Sequence, residues 1–276
     1  NSRKGSRRMV RLILTDMDGT LLDSQSRLPE GFDAMMAELK RRGVMFGAAS
    51  GRQYYSLIES FAKYKDEFLF VAENGTNVRY CGEQVFSCPM NRDVALEILS
   101  KVYAADPGIF CGCCGLEDAY VLRAQYTGQN IDEMAKYYTH AQIVDRFEDV
   151  TDTCIKVALY DGTAHSKDRI EPLVKGYRGP QQVTLSSDYW LDIMNKDINK
   201  GVAVQAVEKK FHLHPDEVAV FGDYLNDLEM MSAAKYSFAM ANAHPAIKKA
   251  ANYETASNDE AGVLKGIQWL IDEGLC

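Results

Sequence analysis

The chain has 276 residues, of which 46% are hydrophobic and 25% charged, and its formal net charge is -8. This balance is typical of a globular protein that can bury a sizeable core. The net acidity argues against nucleic acid or an anionic membrane as the main partner, and no apolar stretch reaches transmembrane length. Seven cysteines, an odd number, indicate reduced thiols and a cytoplasmic protein. The polar, basic residues 1–8 are expected to be a tag remnant or a disordered leader.

Short apolar runs alternate with helical patterns along most of the chain. Such runs, ending in turn signals, predict strands buried on both faces of a parallel sheet, and the helical patterns between them predict βαβ units. The predicted strands are 9–15, 44–49, 68–72, 218–221 and 238–241, and the predicted helices are 29–42, 201–211, 225–233, 245–251 and 262–273.

The middle of the chain, from about 79 to 189, follows a different pattern. Its predicted strands are more polar and alternate, as in an antiparallel sheet with one exposed face. The fold class predicted is therefore α/β, with a Rossmann-like, doubly wound parallel-sheet core and an inserted α+β unit. The strands predicted in the insertion are 84–88, 119–123 and 154–160, and the helices are 92–105, 130–138 and 166–177.

Two aspartates, Asp16 and Asp18, follow the first predicted strand directly, and Gly19 comes next. Ligands of open α/β sheets bind at the carboxyl ends of the strands. Two carboxylates at such a place are costly unless they bind a cation, and an oxygen-only cluster suits Mg²⁺. The glycine lets backbone N–H groups approach an anion. A simple turn is the alternative, whereas a calcium loop is excluded because its further acidic ligands are missing.

Ser50 and Gly51 follow the second predicted strand, and Lys200 stands at the beginning of a predicted helix. A hydroxyl and backbone N–H groups before a helix can bind phosphate, although Ser-Gly is also a common turn and helix cap. A lysine at a helix mouth can neutralise a phosphoryl group during its transfer. Most lysines are solvated instead, and Lys196 competes for the same role.

Asp223, Asn226 and Asp227 surround the turn after the predicted strand 218–221. Helix capping by Asp or Asn is the alternative explanation, but three polar groups beside one turn exceed what a cap requires. Because the polar groups follow separate core strands or stand at a helix mouth, we expect them to converge at one edge of the sheet.

These residues together resemble the four motifs of the haloacid dehalogenase superfamily. With its second aspartate, the first motif resembles that of the phosphatases in the superfamily, because the dehalogenases of the superfamily lack that residue. The Glu73-Asn74-Gly75 segment also resembles this superfamily. The long insertion, followed by Lys200-Gly201, resembles the Cof-type subfamily, which implies a core of 9–82 and 190–276 and a mobile cap of 83–189. The four motifs are Asp16-x-Asp18-Gly19-Thr20, Ser50, Lys200 and Gly222-Asp223-x-x-Asn226-Asp227.

The resemblance implies a Mg²⁺-dependent phosphatase and a role for each motif residue. Asp16 would attack phosphorus and carry an aspartyl-phosphate, and Asp18 would protonate the leaving oxygen and later deprotonate the water. Lys200 would act with them in catalysis. The metal would be bound by Asp16, Asp18 (through its backbone carbonyl) and Asp223, with support from Asp227. The phosphate oxygens would be held by Gly19, Ser50, Gly51, Lys200 and Asn226.

The resemblance leaves the substrate open among small phosphomonoesters, such as sugar phosphates and phosphorylated cofactors. A phosphomutase or another phosphotransferase on the same scaffold is one alternative, and a non-catalytic phosphate-ligand binder is another. The sequence does not determine the oligomeric state. We interpret the segment with Cys111, Cys113 and Cys114 as a cap loop without a metal or redox role, because no paired Cys or His stands at ligand spacing nearby. Segments 80–82 and 189–192 are the predicted hinges of the cap.

Overall fold

The structure is a computed structural model that describes residues 7–276; residues 1–6 of the predicted leader lie outside the described residues. The α-helices are α1 (Phe32–Arg41), α2 (Tyr54–Ser60), α3 (Arg92–Ala105), α4 (Gln129–Tyr137), α5 (Ser166–Arg169), α6 (Glu171–Val174), α7 (Lys200–Lys210), α8 (Pro245–Ala250) and α9 (Gly262–Asp272). The strands are β1 (Leu12–Thr15), β2 (Met45–Ala49), β3 (Leu69–Ala72), β4 (Asn77–Tyr80), β5 (Glu83–Ser87), β6 (Phe110–Gly115), β7 (Ala119–Leu122), β8 (Ala141–Val144), β9 (Cys154–Tyr160), β10 (Gln182–Leu185), β11 (Trp190–Met194), β12 (Val218–Gly222), β13 (Tyr236–Ala239) and β14 (Tyr253–Glu254).

The core sheet has eight strands in the order β14-β13-β12-β1-β2-β3-β4-β5. The strands from β14 to β3 are parallel, and β4 and β5 run antiparallel. In β1, Ile13 pairs with Phe46 of β2 on one side and with Ala219 of β12 on the other. The strand order therefore reverses at β1, and such a switch point is where open α/β sheets bind ligands. The predicted α/β class with a Rossmann-like parallel core is confirmed.

The central strands of this sheet are buried along their whole length. Every residue of β1, β3 and β12 is buried, as expected of strands that are covered on both faces. Burying each large aliphatic side chain contributes about 1.5–3 kcal/mol, before the entropy cost of ordering the chain. Because the strands are held by neighbours in the sheet and by apolar packing, the residues that follow their carboxyl ends have fixed positions.

A second sheet has six strands in the order β10-β11-β9-β6-β7-β8. Its pairs are antiparallel except for β7 with β8. Helix α3 packs on it through Ile98, Leu99 and Val102, which join an apolar cluster with Val157 of β9. We call residues 92–194, which contain this sheet and α3–α6, the insertion. It is the predicted α+β unit.

The three neighbouring cysteines lie in a strand, so their interpretation as a loop was wrong. Cys111, Cys113 and Cys114 belong to β6 and are buried. Cys111 and Cys113 join the apolar cluster on one side of the sheet, and Cys114 joins a different cluster, as the alternation of side chains along a strand requires. All seven cysteines lie within residues 7–276 and are free thiols there.

Sheet membership differs from the predicted boundaries at two strands. Strand β5, predicted to be in the insertion, pairs with β4 in the core sheet, whereas β11, predicted to be in the core, pairs with β9 and β10. The polar, alternating pattern of β5 suited the insertion equally well, because pattern alone does not show which sheet a strand joins. We propose the crossing segments 88–91 and 195–199 as the boundaries.

The predicted hinges also lie within single sheets. Segment 80–82 forms the tight turn between β4 and β5, where Cys81 and Gly82 have positive φ angles of 52° and 75°. Most of segment 189–192 belongs to β11. Neither segment connects the two sheets, so the crossing segments 88–91 and 195–199 replace them as the places where the chain passes between the sheets.

Two predicted helices are broken into shorter pieces. The predicted helix 166–177 consists of α5, α6 and a 3₁₀ turn, because Pro172 has no N–H to continue the hydrogen bonding of α5. The predicted helix 225–233 consists of two 3₁₀ turns, Leu225–Asp227 and Glu229–Ser232. In residues 7–276 there is no helix whose length and apolar character would let it span a membrane.

Candidate active site

The turns after β1 and β12 meet at the switch point of the core sheet. Gly19 lies in the first turn with a φ of 75°, and a Cβ atom there would come within 2.2 Å of Oδ2 of Asp223 in the second turn. Only glycine allows this approach, because it has no side chain and adopts positive φ without strain. Thr20 strengthens the contact, since its hydroxyl donates to Oδ1 of Asp223 at 2.9 Å. The two turns therefore place Asp16 and Asp223 beside each other.

Three carboxylates form one cluster at this place. Asp16, Asp223 and Asp227 each offer an oxygen atom, and these oxygens lie within 4.8 Å of one another. Asp227 is fully buried, and its Oδ2 accepts the backbone N–H of Asp223 at 2.9 Å. Carboxylates so close repel each other unless a cation lies between them. An all-oxygen, acidic donor set fits Mg²⁺, so the residues present suit the expected metal.

Lys200 bridges two of the three carboxylates. Its Nζ donates to Oδ1 of Asp16 at 3.1 Å and to Oδ1 of Asp227 at 2.6 Å, and its side chain is fully buried. The side chain of Asn199 caps α7 by accepting the N–H of Val202 at 2.9 Å, which makes Lys200 the first residue of the helix. The competing Lys196 is exposed to solvent.

The electrostatics of the cluster show a surplus of negative charge. Burial and then the Asp227 charge raise the pKa of Asp16 well above its usual range, and the same two causes raise the pKa of Asp223 to about 6. Burial by itself lowers the pKa of Lys200, but the charges of Asp16 and Asp227 outweigh it, so the pKa is raised and the amine stays protonated. A single ammonium group does not balance three carboxylates, whereas an added divalent cation does.

A cavity of about 320 Å³ opens in front of the cluster. Asn226 lies on its wall; its amide donates to Oδ1 of Asn74 at 3.2 Å, and its own Oδ1 is buried without a hydrogen-bond partner among residues 7–276. Lys200 and Asp227 do not line the cavity, so Lys200, which was predicted to bind phosphate, contacts Asp16 instead. The other predicted site residues all line the cavity: Asp16, Asp18, Gly19, Ser50, Gly51, Asp223 and Asn226.

Asp18 has a different partner from the other aspartates. Its two carboxylate oxygens accept from Nε and a terminal nitrogen of Arg52, at 2.9 and 2.6 Å. Its carboxylate is therefore not part of the three-carboxylate cluster, which leaves its backbone carbonyl as the predicted metal ligand. Arg52 was not among the predicted site residues, although it stands directly after Ser50 and Gly51.

The insertion contacts the core beside the cavity through buried polar groups. Lys156 of β9 is fully buried; its Nζ donates to the carbonyl of Gly51 at 2.7 Å and lies 3.7 Å from Oε1 of Glu73. The side-chain amide of Asn74 donates to Oδ2 of Asp192 at 2.6 Å. Sequence reasoning missed Lys156 and Asp192, and the available signal was a charged residue inside an apolar strand.

Glu73 makes the stability of the protein depend on pH. Burial raises the pKa of Glu73 to about 7, from 4.5, against the opposing charge of Lys156. The folded state therefore binds this proton more tightly than the unfolded state, and the associated stability, on the order of 3 kcal/mol, is lost as the pH rises through 7. We expect Glu73→Gln to flatten the fall in unfolding free energy between about pH 5 and about pH 8, measured by urea unfolding with Mg²⁺ present. Parallel pH curves for the two proteins would contradict this assignment.

Comparison with known proteins identifies the family. The haloacid dehalogenase-like hydrolase family matches residues 13–267. The chain is 33% identical over 261 residues to the 5-amino-6-(5-phospho-D-ribitylamino)uracil phosphatase YbjI of Escherichia coli, covering 92% of this chain and 94% of the relative. The crystal structure of SMU.1108c from Streptococcus mutans superposes with a TM-score of 0.85 at 29% identity, covering 95% of this chain and 99% of that one.

A more distant structure shares the fold. The haloacid dehalogenase subclass IIB sugar phosphatase BT4131 superposes with a TM-score of 0.81 at 18% identity, covering 97% of this chain and 100% of that one. The α/β core, with aspartates at the switch point of its sheet, is the arrangement expected of a hydrolase with the haloacid dehalogenase fold. The chain belongs to the haloacid dehalogenase-like hydrolases, and it is a phosphatase of the Cof type within that superfamily.

Proposed function

We propose that this protein is a Mg²⁺-dependent phosphohydrolase that cleaves small phosphomonoesters through an aspartyl-phosphate on Asp16. The observation that carries the proposal is the contact of the Lys200 ammonium group with both Asp16 and Asp227, at 3.1 and 2.6 Å, beside the carboxylate of Asp223. The contact keeps Asp16 in one orientation at the wall of the cavity. A nucleophile held in one orientation beside a positive charge is what phosphoryl transfer requires.

The reaction has two steps in this proposal. An oxygen of Asp16 attacks phosphorus, the bond from phosphorus to the ester oxygen breaks, and the departing oxygen takes a proton from the carboxyl group of Asp18. A water molecule then attacks the phosphorus and gives a proton to the Asp18 carboxylate, and the bond between Asp16 and phosphorus breaks. The products are an alcohol and inorganic phosphate, and both side chains return to their first state.

Charge neutralisation explains the other residues. Asp16, Asp223 and the backbone carbonyl of Asp18 would hold Mg²⁺ with support from Asp227, and the metal would supply positive charge for the phosphate oxygens. Lys200 neutralises the Asp16 carboxylate although it does not line the cavity itself. The phosphate oxygens would meet donors that line the same cavity, namely the hydroxyl of Ser50, the backbone at Gly19 and Gly51, and the amide of Asn226.

A small substrate suits the size of the site. A cavity of about 320 Å³ lies at the lower end of the range for small-molecule pockets. The relative from Escherichia coli is named for a phosphate ester that carries a ribityl chain on a uracil ring. We propose sugar phosphates and phosphorylated cofactors of this size as the substrate class. A reducing compartment such as the cytoplasm suits the seven free thiols.

A phosphate-release assay over a panel of small phosphomonoesters tests the proposal. We expect release with Mg²⁺ present and a loss of at least about 100-fold after chelation of the metal, because the carboxylate cluster then repels the phosphate. Readdition of Mg²⁺ is expected to restore the rate. A phosphomutase would instead produce an isomerised sugar phosphate with little free phosphate. Unchanged release in the presence of the chelator would contradict the role of the metal.

A further inference from the structure

We propose that Arg52 is a positioning residue that holds the carboxyl group of Asp18 toward the cavity and makes this orientation depend on the docked insertion. The inference rests on the proposed function, because it concerns the group that gives a proton to the leaving oxygen. Arg52 is the last residue of the Ser50-Gly51-Arg52 segment, and the roles proposed for the motif residues do not include it.

The contact between Arg52 and Asp18 is bidentate and largely shielded. The guanidinium group donates two hydrogen bonds, one to each oxygen of Asp18, and the Arg52 side chain is only 8% exposed. The Asp18 side chain is 38% exposed, and within residues 7–276 its carboxylate has no other hydrogen-bond donor. Without Arg52, nothing in this contact set would keep Asp18 from turning to another staggered rotamer. A planar, two-pronged donor fixes both the position and the plane of a carboxylate.

Arg52 is in turn held by the insertion. Its guanidinium carbon lies 5.0 Å from the ring centre of Tyr137, the last residue of α4. The carbonyl of Tyr137 accepts the hydroxyl of Ser56 at 2.7 Å and the backbone N–H of Gln53 at 3.3 Å. On the other side of the same segment, Lys156 donates to the carbonyl of Gly51. The residues around Arg52 are therefore hydrogen-bonded to the insertion at two separate places.

This arrangement has a consequence for the chemistry. Asp18 is needed in the first step only to the extent that the departing oxygen is a strong base, because a weakly basic oxygen leaves without a proton. Loss of its orientation should therefore slow poor leaving groups more than good ones. A merely structural defect would slow both alike. The ratio of kcat/KM for two aryl esters that differ in one para substituent separates these cases, since kcat/KM covers only the steps through the first bond cleavage.

The experiment compares phenyl phosphate with 4-nitrophenyl phosphate, whose leaving group is the weaker base. We expect Arg52→Met to lower kcat/KM for phenyl phosphate on the order of 100-fold and for 4-nitrophenyl phosphate by less than about 10-fold. Arg52→Lys keeps the positive charge but not the two-pronged hydrogen bonding of the guanidinium group. We therefore expect this variant to show most of the selective loss that Arg52→Met shows. Tyr137→Leu is expected to lower kcat/KM for phenyl phosphate selectively as well, but by a smaller factor. In the double variant with Arg52→Met, the two losses are expected to be non-additive.

Arg79→Met is the matched control. Arg79 also stacks on a tyrosine, with its guanidinium carbon 4.9 Å from the ring centre of Tyr54, and also reaches the insertion, at the carbonyl of Leu116. It does not contact Asp18, so we expect an unchanged ratio between the two esters. Thermal unfolding of every variant shows whether it is folded, and the Arg52→Lys and Tyr137→Leu variants carry the test if Arg52→Met does not fold.

The outcomes separate the inference from the proposed function. Equal losses for both esters in the Arg52 variants, or no loss, would overturn the positioning role. A selective loss in Arg52→Met with an unchanged ratio in Tyr137→Leu would overturn the link to the insertion. Wild-type protein that releases phosphate from neither ester would overturn the proposed function, and the inference with it.

Discussion

Asp16→Asn is expected to lower the rate of phosphate release by on the order of 10⁴-fold or more. The amide keeps the shape of the side chain but is uncharged and a far weaker nucleophile, so no covalent phosphoenzyme forms. The measurement is phosphate release with Mg²⁺ present, together with the mass of acid-quenched protein mixed with substrate. Wild-type protein is expected to gain the mass of one phosphoryl group, and the variant none.

Stability provides an internal check on the same variant. Asp16 is buried beside Asp227, and burial and the charge of Asp227 both disfavour its ionised form. Removing this charge should leave the thermal stability of the metal-free protein equal or higher, so lost activity cannot be assigned to unfolding. Asp33→Asn is the control, because Asp33 is an exposed aspartate whose carboxylate contacts Lys63 and Tyr64 on the surface. Turnover by Asp16→Asn within tenfold of wild type would contradict the role of Asp16 as nucleophile.

Lys200→Met is expected to damage both stability and activity. The fully buried ammonium group is hydrogen-bonded to Asp16 and Asp227, and removing one partner of a buried ion pair costs about 3–5 kcal/mol. Loss of this charge beside the nucleophile should also lower kcat on the order of 10²–10³-fold. Urea unfolding and phosphate release measure the two effects.

Added Mg²⁺ should distinguish this lysine from an ordinary buried one. Three carboxylates remain together in Lys200→Met, so a divalent cation that binds them is expected to recover part of the lost stability. Lys156→Met is the matched control, because Lys156 is equally buried but contacts Glu73 and the carbonyl of Gly51 instead. We expect that variant to be destabilised, and Mg²⁺ to stabilise it only as much as wild-type protein, because its carboxylate cluster keeps Lys200. Equal stabilisation of the two variants by Mg²⁺ would contradict the idea that Lys200 and the metal neutralise the same carboxylates.

Local signals in the sequence located the parts of the site correctly. Asp16, Ser50 and Asp223 follow buried strands whose apolar runs are readable without a structure, and the carboxyl ends of parallel strands must meet at one edge. Convergence of the motif residues was therefore predictable. The roles given to the individual residues came from the resemblance and stay predictions until they are measured.

Pairings between distant segments were not predictable in this way. Strands β5 and β11 have patterns that suit either sheet, and only the pairing of β5 with β4 and of β11 with β9 assigned them. The same holds for Lys156, whose burial depends on the docking of β9 beside Glu73. No short window of sequence contains such information, because the free energy comes from contacts between residues that are far apart along the chain.

The sequence by itself determined the α/β class, the positions of the strands that carry the aspartates, and the choice of an acidic, oxygen-rich site. Those features depend on the order of neighbouring residues, through periodicity and turn chemistry. Only the tertiary structure decided that Lys200 rather than Lys196 reaches Asp16, and that Arg52 holds Asp18. Both outcomes depend on which side chains are desolvated together, and desolvation is a property of the packed chain as a whole.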